Sequence, residues 1–200
     1  MAFGNPAPLG LLAFGLTTFI LSCYNAEIFG AHDTTPVNVV VGVAVFYGGA
    51  AQFVAGMWAL GSGNTFAATA FASYGGFWLS YAALLIPGFG VGSAFSTDQD
   101  AEDLSHAIAI FLLAWTILTV MLLVASFQTT AGLAILFVFL TTTFLLLTIA
   151  EYKNSNRVKR AAGFFGIFTA IIAFYNGLAG ILASQNPPLI TLPDLKLHSE

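Results

Sequence analysis

Six long apolar segments make up most of this chain. A hydrocarbon core about 30 Å thick is crossed by about 20 residues of α-helix, and each segment is long enough to do this. Only 7% of the 200 residues are charged, whereas soluble domains carry about 25%. No Lys or Arg precedes the first segment, which favours a span over a signal peptide. The predicted spans are residues 9–29, 37–60, 65–86, 104–124, 130–150 and 161–184.

The links between these segments leave no room for a soluble domain. Only residues 87–103 form a link long enough to carry structure of its own. We therefore predict an all-α fold in which residues 1–200 form a single polytopic membrane domain of six bundled helices. Residues 185–200 are predicted to be a C-terminal tail.

Charged residues concentrate in two links, which share one side of the membrane if six spans are present. These residues are Asp98, Asp100, Glu102 and Asp103 in the first link, and Lys153, Arg157, Lys159 and Arg160 in the second. The positive-inside rule counts Lys and Arg in short loops. By that count, the side holding the two links is cytoplasmic and both termini lie outside.

Small residues follow the sixth segment at alternating steps of three and four. They are Gly163, Gly166, Ala170, Ala173, Gly177, Gly180 and Ser184. Helices in lipid associate through small residues, because these allow the backbones to approach closely. The pattern predicts a tight helix contact, and it leaves open whether that contact lies within one protomer, between protomers, or both.

Two primary amides, Gln52 and Asn176, fall inside predicted spans and need partners there. They can form interhelical hydrogen bonds or line a polar pathway, and the sequence favours neither. The Ser and Thr residues of the spans can bond a carbonyl one turn back, so each is more readily explained as structural. No Asp, Glu, Lys or Arg lies near the middle of a span.

These absences argue against an enzyme. The chain has no HExxH or GxSxG motif, and its three His residues fall at span ends or in the tail. No metal ion, cofactor or nucleic acid is therefore expected, and membrane lipid is the expected surrounding. Hydroxyls, amides and helix ends suit a weakly held small anion or its neutral acid. Asn5-Pro6 and Asn64-Thr65 resemble helix starts, whose free N–H groups attract anions.

Four motifs in order resemble the acetate uptake transporter family. They are NPAPLGL at residues 5–11 followed by Phe14, FYGGAAQFVAG at 46–56, GNTF at 63–66 and SYGGFW at 73–78. This family includes bacterial succinate–acetate permeases and the fungal acetate and ammonia-export proteins. The second and third spans resemble fungal members more than bacterial ones.

The resemblance implies a six-helix protomer with its own central pore, assembled as a homo-hexamer in the plasma membrane. It implies passage of acetate and similar small monocarboxylates, with succinate as a further candidate. Both termini would be cytoplasmic, which opposes the charge count. A hydrophobic constriction is implied at Phe14, Tyr74 and Leu140.

The resemblance also implies polar residues along the pathway, namely Gln52, Asn64, Thr65, Thr17 and Thr141. The residues themselves add Asn5, as a helix start that meets the solute, and Asn176, as an intramembrane amide. The fifth span carries no strong motif, so the position of Leu140 rests on the resemblance alone.

Three alternatives remain at this point. One is movement of ammonia or ammonium, although known ammonium channels use paired intramembrane His residues and this chain has none. Another is a membrane sensor that transports nothing. The third concerns mechanism, because passage can be channel-like or coupled to protons. The missing central carboxylate favours a channel.

Overall fold

A computed structural model describes residues 4–95, 100–187, 190 and 192, and the regular structure of these residues is helical. The helices are α1 (Ala7–Ala26), α2 (Val39–Val45), a π-helix (Phe46–Ala51), α3 (Gln52–Gly61), α4 (Thr65–Leu85), α5 (Asp100–Ser126), α6 (Ala131–Tyr152) and α7 (Asn156–Ala183). Two 3₁₀ turns, Pro87–Phe89 and Gly92–Ala94, follow α4. Asp98 and most of the predicted tail lie outside the described residues.

Each apolar segment of the sequence falls on one helical rod. The π-helix joins α2 to α3 without a break, so these three elements form a single rod, Val39–Gly61. Five rods are long and apolar enough to cross a membrane: α1, Val39–Gly61, Glu102–Ser126 of α5, α6 and α7. Helix α4 is also uncharged and 21 residues long, but its Thr, Ser and Tyr side chains lower its mean hydropathy.

The rods pack side by side in a closed ring. Helix α1 packs against α7, α7 against α6, and α6 against α5. The ring closes through α5 on α4, α4 on α3, and α3 on α1. Side chains from α1, α3, α4 and α6 therefore meet in the middle of the bundle.

The small-residue face of α7 packs against α1 within the protomer. A Cβ atom at Gly163 would collide with the backbone of Ala26, and one at Gly177 would lie 2.8 Å from Leu12. Gly15 of α1 meets Ala173 in the same way. The close approach that these residues permit explains why α1 and α7 form the most extensive helix pair. The small-residue pattern of α7 therefore makes a contact within the protomer.

Candidate functional site

A cavity of about 260 Å³ lies between α1, α3, α4 and α6 in the middle of the bundle, and it is here called the wide cavity. Most of its wall is apolar. Its lining includes Leu11, Phe14, Gln52, Asn64, Tyr74 and Leu140.

Three helices begin at one end of the wide cavity. Asn64 caps α4 by accepting a hydrogen bond from Ala67 N at 3.0 Å, and Thr130 caps α6 by accepting one from Leu133 N at 3.3 Å. Helix α1 begins at Ala7, which also lines the cavity. Helix N-termini carry partial positive charge and free N–H groups. This end of the cavity is therefore electropositive, although none of the described residues that line it is charged.

The start of α1 keeps the predicted Asn5 side-chain bond, but the helix begins one residue later than predicted, at Ala7 and with Pro6 at the cap position. Ala7 N donates to Asn5 Oδ1 at 3.0 Å, and Gly10 N donates to the carbonyl oxygen of Pro6 at 3.1 Å. Pro6 has helical backbone angles, so its missing N–H falls where a helix has no partner to offer. Asn5 is exposed, and it does not line the wide cavity.

Deeper in the wide cavity, Phe14, Tyr74 and Leu140 come together. They lie seven to nine residues after the first residues of their helices, which is about 10–14 Å further in at 1.5 Å per residue. The Phe14 and Tyr74 ring centroids are 5.5 Å apart. All three side chains are at most 5% exposed. The hydroxyl of Tyr74 is hydrogen-bonded to Thr119 Oγ1 at 3.0 Å, which fixes the ring.

A second cavity of about 30 Å³, here called the narrow cavity, lies beyond these residues. Phe14 and Leu140 line both cavities and therefore stand between them. The polar part of the narrow cavity consists of Thr18, Ser22, Asn25, Trp78 and Thr143.

Asn25 also lines a third space of about 50 Å³, the far vestibule, together with Glu27, His32, Asp33 and Lys159. The three cavities thus follow one another along α1. The far vestibule is charged, and two ion pairs lie at this end of the bundle, Arg160–Glu27 at 3.4 Å and Lys159–Glu151 at 3.3 Å.

Gln52 is the most unusual of the predicted pathway residues. It directly follows the π-helix, lines the wide cavity and is fully buried. Neither its Oε1 nor its Nε2 atom has a hydrogen-bond partner among the described residues. Leaving a buried polar group unpaired costs about 1–3 kcal/mol, so such a group calls for an explanation.

Three other predicted pathway residues line none of the cavities described above. Thr17 is fully buried against Gly48 of the π-helix and donates to Ala13 O at 2.9 Å. Thr141 donates to Phe137 O at 2.7 Å. Thr65 lies exposed at the first position of α4. Their geometry is that of ordinary helix residues.

Asn5 and Asn176 share a different space. Both line a side cavity of about 470 Å³ between α1, α6 and α7. Asn176 Nδ2 donates to Ile172 O at 2.8 Å, and its side chain also packs against Gly132 of α6. The side cavity adjoins the wide cavity, because Leu11, Thr130 and Leu133 line both.

Sequence reasoning missed Thr18 and Trp78 of the narrow cavity. A signal for this face of α1 is nevertheless present. The residues of α1 that line the wide and narrow cavities include a series at alternating steps of four and three: Ala7, Leu11, Phe14, Thr18, Leu21 and Asn25. This is one continuous helix face.

Comparison with known proteins identifies the family. A family model described as the GPR1/FUN34/yaaH family matches residues 1–199. The chain belongs to this family. The GPR1/FUN34/yaaH assignment agrees with the resemblance inferred from the four motifs.

Two fungal relatives have names that refer to transport. The chain is 46% identical over 191 residues to the Ammonia transport outward protein 2 of Saccharomyces cerevisiae, covering 96% of this chain and 66% of the relative. It is 44% identical over 192 residues to the Acetate permease A of Emericella nidulans, covering 92% of this chain and 63% of the relative. The chain thus spans slightly under two thirds of the length of these relatives.

A solved structure, that of the bacterial acetate channel SatP, has the same fold. It superposes with a TM-score of 0.82 at 31% identity, covering 96% of this chain and 99% of the channel. The relatives named here are transport proteins and a channel, and the apolar helices indicate an integral membrane protein. The prediction of a membrane transport family is therefore confirmed.

Proposed function

We propose that this chain passes acetate and related small monocarboxylates across a membrane through the wide and narrow cavities. Succinate is a further candidate solute. The observation that carries the proposal is that Phe14 and Leu140 line both cavities, so one apolar constriction stands between two spaces. The names of Acetate permease A and of the acetate channel SatP support the choice of solute.

The walls of this path are suited to bind a solute weakly and then release it. Three helix N-termini favour an anion at the outer end of the wide cavity. Gln52 offers an unpaired amide further in. No charged residue occurs among the described residues that line the wide and narrow cavities. A solute held in this way can enter and also leave, which conduction requires.

The constriction would act as a hydrophobic gate. Phe14 and Leu140 have no polar side-chain atoms, and the hydroxyl of Tyr74 is bonded to Thr119. A narrow apolar ring excludes water, and so opposes the passage of a hydrated anion. The absence of Asp, Glu, His, Lys and Arg from the described walls of the wide and narrow cavities favours channel-like passage over coupling to a proton carrier of the protein.

The proposal includes the arrangement in the membrane. Helix α4 would be the sixth span, since it packs within the ring of the other rods. An even number of spans fits the side cavity, where Asn5 before α1 and Ser184 after α7 lie at the same end of the bundle. The full assembly would be a homo-hexamer in the plasma membrane with cytoplasmic termini. Exposed apolar side chains such as Phe46 and Ile110 are available for lipid or for neighbouring protomers.

Labelled acetate uptake into proteoliposomes tests the gate. Replacing Phe14, Tyr74 and Leu140 together with alanine is expected to raise uptake several-fold, because water and acetate can then cross the ring. Since each large-to-small change in a core costs about 2–5 kcal/mol, the single variant Leu140→Ala is measured beside the triple variant. Leu113→Ala, on the exposed outer face of α5, is the matched control. Unchanged uptake by a folded Leu140→Ala protein and by the triple variant would contradict the gate.

Proton coupling is measured in the same vesicles. At a clamped membrane potential, channel-like passage predicts acetate uptake that continues without stoichiometric proton movement. Strict coupling of one proton to each acetate would contradict channel-like passage while leaving the solute assignment intact.

Ammonia export is the second candidate function, since the chain is 46% identical to an Ammonia transport outward protein. An ammonium-dependent current recorded in the vesicles used for acetate uptake separates the two functions. Current without acetate uptake would replace our proposal. Neither signal from a folded protein would favour a membrane sensor that transports nothing.

A further inference from the structure

Two residues that line the narrow cavity each carry a buried polar atom with no hydrogen-bond partner among the described residues. The two atoms are Thr18 Oγ1 and Trp78 Nε1. Thr18 is 6% exposed and Trp78 is 2% exposed. The only other buried side-chain atoms in this condition within the described part of the chain are those of Gln52, in the wide cavity. Unpaired polar groups therefore occur on each side of the constriction.

The free hydroxyl of Thr18 is exceptional among the helical threonines. Nine others donate to the carbonyl oxygen four residues earlier: Thr17, Thr69, Thr116, Thr119, Thr141, Thr142, Thr143, Thr148 and Thr169. That bond is the usual way in which a hydroxyl is satisfied inside a helix. Thr18 does not make it, so its O–H remains available to a group in the cavity.

The indole of Trp78 limits which chemical groups can bind in the narrow cavity. An indole Nε1–H donates a hydrogen bond and cannot accept one. A buried indole usually finds an acceptor, and burying it without one is unfavourable. Trp78 belongs to α4 and Thr18 to α1, so two residues that carry an unpaired donor line the same cavity from different helices. Their natural common partner is an oxygen atom that accepts both bonds.

We infer that Thr18 and Trp78 form a binding site for one carboxylate oxygen of the permeating solute, on the far side of the constriction. The inference rests on the proposed function and names a site within its path. The narrow cavity measures about 30 Å³, and a water-sized group needs about 10–15 Å³. One carboxylate oxygen fits this space, and the methyl group of acetate would remain against the apolar ring of Phe14 and Leu140.

The site favours a negatively charged hydrogen-bond acceptor over a cation. A carboxylate oxygen accepts both bonds, and a bond to an ionised acceptor is stronger than a neutral one. Ammonium has four N–H donors and no acceptor, so it cannot satisfy Trp78. The same two side chains that hold a monocarboxylate therefore oppose an ammonium ion. A buried water molecule could also accept both bonds, and the test distinguishes water from solute.

The test combines binding and uptake with the full chain. In detergent or nanodiscs, the ¹⁵N-labelled indole resonance of Trp78, assigned by its loss in Trp78→Phe, is followed during titration with acetate, chloride or ammonium. A downfield shift that saturates with acetate and is absent with ammonium is expected. In proteoliposomes, Thr18→Val is expected to raise the acetate concentration for half-maximal uptake about tenfold, and Thr18→Ser is expected to restore it.

Thr169→Val is the matched control, because Thr169 is fully buried in α7, bonds to Phe165 O and lines none of the cavities described above. Its half-maximal concentration should equal that of the unaltered chain. The inference would be overturned if the indole resonance did not shift with acetate, or if Thr18→Val left the half-maximal concentration unaltered. Either result would show that the site holds a resident water molecule. An acetate-dependent shift in a protein that takes up no acetate would support the site and contradict the proposed function.

Discussion

The wide and narrow cavities share two residues and differ in almost everything else. The wide cavity holds about 260 Å³ and has helix N-termini at its outer end. The narrow cavity holds about 30 Å³ and carries separate hydroxyl, amide and indole groups on its wall. The first offers a diffuse positive potential in a large space, and the second offers individual donors in a small one.

The reach of a helix dipole explains this difference. Its effect falls off within the first turn of the helix, whereas Phe14 already lies seven residues after the first residue of α1. Beyond the constriction, backbone N–H groups are occupied within the helices and the field of the N-termini is weak. Side chains must then supply the donors, and Thr18 and Trp78 are the ones left unpaired.

Filling the wide cavity should have the largest effect. Ala70 lines it and is buried. We expect Ala70→Trp to reduce acetate uptake more than tenfold, because the indole would occupy the space through which the solute moves. Protein stability should change by less than a typical core insertion, about 1–3 kcal/mol, since room is available. Uptake is measured beside Ala114→Trp, at an exposed position of α5. Equal uptake by both variants would show that the solute avoids the wide cavity.

Removing the amide of Gln52 should have an intermediate effect on uptake. It should raise protein stability and lower the affinity for acetate. Gln52→Leu eliminates two unpaired buried atoms, so we expect stability to rise by about 1–3 kcal/mol. Acetate affinity should fall several-fold, because the wide cavity loses its unpaired amide. Thermal unfolding in detergent and concentration-dependent uptake measure stability and affinity, respectively.

The comparison variant for Gln52 is Thr119→Val. Thr119 is equally buried, but it is bonded both to Tyr74 and to Trp115 O. Its removal leaves the Tyr74 hydroxyl unpaired and should destabilise by about 1–3 kcal/mol. If both variants lose stability to the same degree, then Gln52 has a structural partner and is not held ready for a solute.

Disrupting the Arg160–Glu27 ion pair at the charged end of the path should have the smallest effect, and that effect is measured as thermal stability. Arg160 pairs with Glu27 at 3.4 Å, and its side chain is 53% exposed. Solvent screens such a pair, and exposed pairs contribute about 0–1 kcal/mol. Asn156 Nδ2 also donates to Glu27 at 2.6 Å and would hold it after Arg160→Gln. A midpoint of thermal unfolding within error of the unaltered chain is expected, and a loss of several degrees would reveal a stronger coupling.

Much of this architecture could be predicted from local sequence. Lipid as the solvent follows from the scarcity of charge, and the positions of the rods follow from the apolar runs. The side-chain bonds of Asn5 and Asn64 at their helix starts also follow, because each joins a backbone group two or three residues away. The meeting of Phe14, Tyr74 and Leu140 required the family resemblance, since each would otherwise be taken for a packing residue.

Thr17 and Thr18 show where local prediction stops. They are the same residue type, adjacent in the same apolar helix, and about 100° apart around its axis. Thr17 packs against Gly48, whereas Thr18 faces the narrow cavity. The difference depends on how α1 is rotated, and that rotation is set by its close packing on Gly163 and Gly177 of α7. Contacts between residues more than a hundred positions apart therefore chose which hydroxyl is free, and the helix-face pattern of α1 reveals that choice only once Phe14 is placed in the path.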